Sequence, residues 1–286
     1  MSRHGDFKTI EASRPDFKAP EKPFTYTKTP NPEWTPGSGA SNDEWKQYKT
    51  VSINPHGEGR VPGDNYKLMI SGIVPRPIGF ISTIGENGER NLAPMSYTQI
   101  VNHDPPIITV GFSGGTGLKD STKHLLASKE CTVNIISDWF IEAANYCSIN
   151  APTNISEWSL SGLTPVPSHV VAAPRVAESA FSIECKLVTH HNWTSPTTGK
   201  QTGTMCILEG VYFHVREDAI NEARNIIDIS KLRPVSRLGG VTYSVVERGW
   251  ELPRPDFAKE VEQYEHVRKV KEEAERKEKE AEVVKN

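Results

Sequence analysis

The sequence predicts a mainly β protein: an antiparallel barrel with a few peripheral helices and a charged C-terminal helix. Short apolar runs separated by turn residues fill the centre of the chain, and they outnumber the segments with helical periodicity. These runs do not alternate regularly with helices. That order favours an antiparallel barrel over a doubly wound parallel sheet.

The predicted strands are apolar runs at residues 78–84, 107–112, 132–136, 181–188, 204–215 and 240–247. The turn sequence Gly85-Glu86-Asn87-Gly88 joins two of the opening strands. The predicted helices cover residues 121–128, 138–146 and 219–227.

Three segments make up the predicted organisation. Residues 1–50 are rich in proline and form a disordered or extended arm, because such a segment buries too little apolar surface to offset its ordering entropy. Because aromatic residues are spaced along it, the arm could instead dock onto the folded part of its own chain or onto that of a dimer partner. Residues 51–252 form the barrel. Residues 253–286 form a charged helical tail whose apolar stripe is short.

Composition excludes several classes of function. A net charge of −3 lacks the basic footprint of a nucleic-acid binder, and no stretch has the apolar length of a membrane span. The N-terminus has no apolar signal core, which indicates a cytoplasmic protein. The four cysteines are widely scattered and no histidines show metal-ligand spacing, so we expect reduced, buried thiols and no metal.

Three segments place hydroxyl, amide and cationic groups at the ends of apolar strands. They are residues 74–83 (VPRPIGFIST), 91–97 (NLAPMSY) and 117–122 (GLKDST). Flavin mononucleotide (FMN) needs such a layout, because its flat ring requires an apolar strand surface and its phosphate requires hydroxyls, amides and a cation. The segments therefore predict an FMN site.

The third segment is the candidate phosphate site. Lys119 with the hydroxyls of Ser121 and Thr122 stands at the start of a predicted helix, where free N–H groups and the helix dipole favour an anion. The alternative is an ordinary helix N-cap made by Asp120 or Ser121. Because Asp120 should repel a phosphate, we expect it to cap the helix in either case.

Two arginines are further candidates. Prolines on both sides of Arg76 hold its backbone extended, so its guanidinium is aimed at a phosphate or, alternatively, at a carboxylate on the barrel rim. Arg237 precedes Gly239-Gly240, which allow close backbone approach. Its expected role is barrel closure or a dimer contact near the flavin.

Two other motifs suggest different chemistry. Residues 111–115 (GFSGG) match the nucleophile-elbow pattern of acyl hydrolases, but that fold requires βα units that the sequence lacks. His190 and His191 follow a predicted strand, and one of them could face a nicotinamide. A loop pair without a role is the favoured interpretation.

Taken in order, the motifs resemble the flavin reductase-like FMN-binding proteins, which include reductase components of two-component monooxygenases. The pieces lie between residues 66 and 250, and they include Pro75-Arg76-Pro77-Ile78, Asn91-Leu92-Ala93-Pro94, Asp104-Pro105-Pro106, Lys119-Asp120-Ser121 and Arg237-Leu238-Gly239-Gly240. The resemblance implies a Greek-key split barrel that forms a homodimer and binds FMN near the dimer interface. It also implies that the flavin contacts Ser82, Thr83, Asn91, Ala93, Pro94 and Ser96, with Lys119, Ser121 and Thr122 at the phosphate.

We therefore expect an FMN-dependent oxidoreductase that takes hydride from NADH or NADPH and passes reduced flavin to oxygen or to a partner enzyme, for which the resemblance offers a monooxygenase. The cofactor carries such chemistry, so binding residues are nominated and no catalytic ones. The alternative is a flavin carrier or sensor without turnover. It is motivated by Thr98, Gln99 and His124, which depart from the family pattern and leave nicotinamide use open.

Overall fold

The computed structural model describes residues 7–18, 24–114 and 118–285. The chain divides into two compact units. One contains residues 60–247 with the described part of 1–23, and the other contains residues 24–59 with the described part of 248–286. Within the described ranges, no helix is both long enough and apolar enough to span a bilayer.

The strands are β1 (Thr25–Tyr26), β2 (Gly79–Ile84), β3 (Arg90–Met95), β4 (Thr98–His103), β5 (Pro106–Ser113), β6 (Glu130–Ile135), β7 (Pro165–Val166), β8 (Arg175–Val176), β9 (Phe181–Thr194), β10 (Gln201–Val215), β11 (Val235–Leu238), β12 (Thr242–Val245) and β13 (Arg248–Gly249). The α-helices are α1 (Phe7–Ala12), α2 (Pro62–Gly72), α3 (Asp120–Ser128), α4 (Ile141–Tyr146), α5 (Glu157–Ser161), α6 (Ile229–Leu232), α7 (Phe257–Gln263) and α8 (Glu265–Lys285).

A seven-stranded sheet dominates the first unit. Its strand order is β3-β2-β6-β9-β10-β5-β4, and every neighbouring pair is antiparallel. The two outermost strands, β3 and β4, are consecutive in the chain and joined by Ser96-Tyr97. At this junction the N–H of Gly79 on β2 donates to the hydroxyl of Thr98 on β4 at 3.2 Å. The sheet therefore curls around on itself, and the predicted antiparallel barrel is confirmed.

Side chains alternate between two cores, as the period of a strand requires. Ile81 packs inside the barrel with Val110, Val133 and the α3 residue Leu125. Its neighbour Phe80 points to the other face and packs beneath α4 and α5 with Trp158. Strand β2 is thus buried on both faces, which explains its apolar start at Phe80-Ile81.

In the second unit, β1 pairs with β13 in parallel, and α7 is followed directly by α8. Tyr264 separates the two helices with an extended backbone, at φ −116° and ψ 119°. The predicted helical tail is therefore interrupted after its first two turns.

The structure differs from the sequence prediction in several elements. The predicted helix at 219–227 is wrong: Ile220 and Ile227 form a β-bridge, and the regular helix begins at Ile229. Strand β9 continues to Thr194, six residues past the predicted end, because it pairs with β10 along its full length. Helix α2 was not predicted.

Candidate functional site

Strands β2 and β3 and helix α3 bring several polar side chains together at one end of the barrel. Thr83 lies opposite Asn91 in the β2–β3 register. The side-chain amide of Asn91 donates to the hydroxyl of Ser121 at 2.8 Å, with both residues buried. His124 Nδ1 lies 3.4 Å from the hydroxyl of Thr83. Three of the nominated residues therefore meet at this point, and we call these four residues the donor cluster.

The start of α3 differs from the prediction. The N-cap residue is Lys119, with an extended backbone and no side-chain cap, so Asp120 and Ser121 do not cap the helix. The carboxylate of Asp120 instead accepts from Lys123 at 2.8 Å and from Thr153 at 3.2 Å. The hydrogen bond from Lys123 lowers the pKa of Asp120. The anticipated repulsion of an anion by Asp120 is therefore reduced, since Lys123 neutralises its charge.

Lys119 supplies the positive charge beside the donor cluster. Its side chain is exposed, and within the described part of the chain its ammonium group has no hydrogen-bond or ion-pair partner. It lines a small pocket with Thr122 and with residues 201–204 of β10. That pocket encloses about 10 Å³, the space of one water, so a nucleotide would lie on the open surface beside it.

Arg76 is not part of the donor cluster, and its guanidinium is hydrogen-bonded to other residues. Its guanidinium donates to three backbone carbonyls: those of Ile70, Ile73 at 3.1 Å and Gly239 at 2.9 Å. The side chain is 7% exposed. No carboxylate pairs with it among the described residues. Arg76 therefore ties the end of α2 to the loop after β11.

Arg237 is also bonded within the protein. Its backbone pairs with that of Arg76 in an isolated β-bridge. Its guanidinium lies 4.3 Å from the centre of the Tyr243 ring and donates to the Tyr243 hydroxyl and to the carbonyl of Gly240. Tyr243 in turn donates to Asn145 at 2.7 Å. This chain of bonds fixes the β11–β12 hairpin against α4.

The other nominated residues are spread along β2 and β3. Ser82 is fully buried on the face of β2 opposite to Thr83, and its hydroxyl has no partner in the described structure. Ala93 and Pro94 are half-buried in the middle of β3. Ser96 follows β3, with its hydroxyl 3.5 Å from Arg76 Nε. Asn91 and Ser96 are five residues apart, or about 17 Å along a strand.

The alternative motifs have ordinary structural positions. Gly111 to Ser113 end strand β5, which is antiparallel to both of its neighbours, whereas a nucleophile elbow stands in a sheet built from βα units. Gly115, Thr116 and Gly117 lie outside the described residues. The loop placement expected for His190 and His191 is wrong, since both are exposed residues within β9. His191 contacts Trp193 edge-on, with ring centres 4.3 Å apart.

Two contributors to the site were not predicted. His124 appears in the sequence only as a departure from the family pattern, yet it contacts Thr83. Gly203 brings β10 against β5, where a Cβ would lie 2.9 Å from the carbonyl oxygen of Phe112. Only the pairing of β10 with β5, which is distant in sequence, places Gly203 beside Lys119.

Comparison with known proteins identifies the family and the fold. Residues 71–229 match the model of the flavin reductase like domain. Nitrilotriacetate monooxygenase component B from Bacillus cereus is 33% identical, with a TM-score of 0.67 over 72% of this chain and 100% of that one.

Two further proteins are similar to this chain. An uncharacterised protein of Aquifex aeolicus is 35% identical over 62% of this chain and 88% of its own. A putative flavin reductase with a split barrel domain from Shewanella frigidimarina, at 21% identity, shares the fold with a TM-score of 0.59 over 69% of this chain and 95% of its own.

The closed antiparallel sheet is thus a split barrel, and the matches define a flavin-related oxidoreductase. The family model covers more than half of the chain. The protein belongs to the flavin reductase-like family.

Proposed function

We propose that the protein binds FMN through the donor cluster and Lys119, and that it is an NAD(P)H-dependent flavin reductase. The observation that carries the proposal is the ammonium of Lys119, which has no partner among the described residues, beside the buried hydroxyls of Ser121 and Thr122. A phosphate monoester carries nearly two negative charges near neutral pH and accepts strong hydrogen bonds. These residue types fit it, since hydroxyls, a cation and the first N–H groups of α3 all donate.

The half-buried surface of β3 suits the rest of the cofactor. Ala93 and Pro94 present little side-chain bulk, so a flat ring can approach the strand backbone. About 17 Å of strand separates Asn91 from Ser96, and this length accommodates an extended flavin nucleotide. Bound FMN would supply the two-electron chemistry, whereas this chain's residues hold and orient it.

The partner proposals follow from the family. We propose a homodimer with a cytoplasmic location, and a monooxygenase as recipient of the reduced flavin, because the Bacillus cereus relative is named as a monooxygenase component. The four cysteines are buried and free, which is consistent with a reducing compartment.

A flavin carrier without turnover is the second candidate. It is favoured by the positions of Arg76 and Arg237, whose guanidinium groups are already bonded to backbone carbonyls and to Tyr243. Among the nominated cations, only Lys119 then remains for an anionic ligand in the described structure. One ammonium group suits the FMN phosphate better than it suits FMN and the diphosphate of a nicotinamide coenzyme together.

An anaerobic absorbance experiment decides between the flavin reductase and the flavin carrier. Purified protein is loaded with FMN, and the flavin band is followed after addition of NADH or NADPH. Bleaching supports the reductase, whereas a persistent flavin spectrum supports the carrier. Failure to retain any flavin after incubation would overturn both.

A further inference from the structure

The first residues of strand β10 contribute to the pocket beside Lys119. Gln201 and Thr202 line this pocket together with Lys119 and with Thr122 of helix α3. The pocket is therefore built from two elements, the start of α3 and the end of the β9–β10 hairpin. None of the β10 residues is among those nominated for FMN from the sequence.

Thr122 presents a hydroxyl to a ligand in this pocket. Its residue is 1% exposed, and its hydroxyl forms no hydrogen bond with the described residues. Buried hydroxyls in folded proteins usually have a partner, so an unpaired one needs an explanation. The hydroxyl of Ser82 is sealed from solvent, whereas Thr122 borders the pocket. A ligand oxygen in the pocket therefore supplies a partner for Thr122.

Three side chains at the end of the hairpin form a hydrogen-bonded group, which we call the hairpin triad: Asn192, Gln201 and Thr204. The side-chain amide of Gln201 donates to Asn192 Oδ1 at 3.1 Å and to the hydroxyl of Thr204 at 3.0 Å. The Thr204 hydroxyl donates to the same oxygen of Asn192 at 2.8 Å. Asn192 Oδ1 is therefore the acceptor that holds the triad together.

The hairpin triad lies on the face of the hairpin that borders the pocket. Asn192 and Thr204 are opposite each other in the β9–β10 register, so their side chains share one face. Thr204 is 2% exposed, which identifies this face as the one towards the barrel. Gln201 is half-buried, and both Gln201 and Thr204 line the pocket.

The bonds within the hairpin triad determine which group of Gln201 is left for a ligand. Both N–H bonds of its amide are used, so the free group is the carbonyl oxygen Oε1, which only accepts. An ionised phosphate has no hydrogen to donate to this oxygen, whereas a hydroxyl does. The ribityl chain of FMN carries hydroxyls next to its phosphate. Gln201 therefore complements the donors Lys119 and Thr122.

We propose that Gln201 accepts a hydrogen bond from a ribityl hydroxyl of FMN, and that Asn192 is the positioning residue that holds Gln201 in place. The proposal rests on the proposed FMN site and extends that site from α3 to the hairpin. Lys119 and Thr122 recognise the phosphate. Gln201 recognises the hydroxylated chain that FMN shares with riboflavin.

Fluorescence titration of the full chain with FMN and with riboflavin tests the role of Gln201. Gln201→Ala should weaken both flavins by the same factor, about fivefold, because a neutral hydrogen bond is lost from each. Lys119→Ala should weaken FMN alone, since riboflavin has no phosphate. Thr194→Ala is the matched control: Thr194 is exposed and lies opposite Gln201 in the register, and both affinities should stay unchanged.

A double-mutant cycle tests the positioning role of Asn192. Asn192→Ala should weaken FMN by a similar factor, and the variant with both substitutions should bind FMN no more weakly than Gln201→Ala, because Asn192 acts through Gln201. A merely structural role would give losses that add, and this result would overturn the positioning role.

Two results separate this proposal from the FMN site on which it rests. If the parent binds FMN and Gln201→Ala binds it equally well, or loses affinity for FMN but not for riboflavin, the FMN site stands and the role of Gln201 is wrong. If the folded parent binds neither flavin, the FMN site itself is wrong, and the role of Gln201 is overturned with it.

Discussion

The side-chain amide of Asn91 donates to the hydroxyl of Ser121 across 2.8 Å, and this buried bond joins strand β3 to helix α3. Asn91 is 8% exposed and Ser121 2%. The bond holds the start of α3, and with it Lys119, at the end of the barrel. It links the stability of the fold to the geometry of the proposed phosphate site.

Asn91→Ala should therefore destabilise the protein by about 1–3 kcal/mol, because it removes a buried hydrogen bond and leaves a cavity. Urea unfolding measures this free energy. Asn150→Ala, at an exposed position, is the control and should change it little. A variant as stable as its parent would show that the bond contributes nothing to folding.

Lys119→Ala should weaken FMN binding by about 1–3 kcal/mol, since a charge-assisted contact to the phosphate is lost. Fluorescence quenching of FMN on titration with protein measures the affinity. Lys186→Ala is the control, because it removes an exposed lysine from strand β9 and Lys186 is not part of the proposed site. Equal FMN affinity in Lys119→Ala and the parent would mean that Lys119 faces solvent in the complex.

Arg76→Ala should lower the free energy of unfolding by at least about 1.5–3 kcal/mol, because three backbone carbonyls lose a charged donor. Arg76→Lys should restore only part of this loss, since an ammonium group cannot reproduce the fork of a guanidinium. Chemical denaturation of both variants gives the comparison. If stability is unchanged while FMN affinity falls, Arg76 is a phosphate ligand and the structural role is wrong.

Glu184 should make the protein sensitive to acid. Burial alone would raise the pKa of its carboxyl group, but hydrogen bonds from the backbone of His169, Val170 and Val171 and from the side chain of His214 lower it to about 2. A lowered folded-state pKa gives stability that is present above the unfolded value and lost as the pH falls towards 2. The contribution near neutrality is about 3 kcal/mol.

The measurement is urea unfolding of the parent and Glu184→Gln between pH 6 and pH 3. The parent's advantage should shrink by about 2 kcal/mol over this range, mostly below pH 4.5. His214, whose pKa burial lowers, adds a stability loss in the same direction, beginning at higher pH. Glu222→Gln is the exposed control. If the difference in unfolding free energy between the parent and Glu184→Gln does not change with pH, the hydrogen bonds to the Glu184 carboxylate do not lower its pKa.

Much of the barrel could be predicted because its strands have strong local signals. Strand β2 begins with apolar residues and is buried on both faces, and burial alternates along β5. Strand β3 contains Asn91, Ala93 and Pro94, which disfavour strands, so only its pairing with β2 defines it. The division into arm, barrel and tail remains a prediction.

The failed helix at 219–227 has a local cause. The Asn221 side chain accepts from the backbone N–H groups of Asn225 and Ile226, and Arg224 has a positive φ of 56°. An asparagine side chain that bonds nearby backbone offers an alternative to helix hydrogen bonds. Helical spacing of apolar residues alone does not reveal this competition.

The cofactor-binding role of the nominated residues remains a prediction. A helix close to Lys119 could be predicted from the local sequence, whereas the capping expected of Asp120 or Ser121 is not observed. The role of Arg76 depends on Gly239, which is 163 residues away, and no local pattern indicates that contact. Likewise, His124 contacts Thr83 only because α3 packs across β2.

The length of β9 has a further consequence. Within the described structure, β6 accompanies β9 only as far as Lys186, so residues 188–194 have β10 as their single neighbour. Val188 and Trp193 are exposed there, and the hairpin turns at Gly199 with a φ of 65°. A segment with so little buried area opens at low cost while the barrel stays closed. Among the bonds of residues 60–247, limited digestion of the native protein by trypsin should therefore cut first near Lys200.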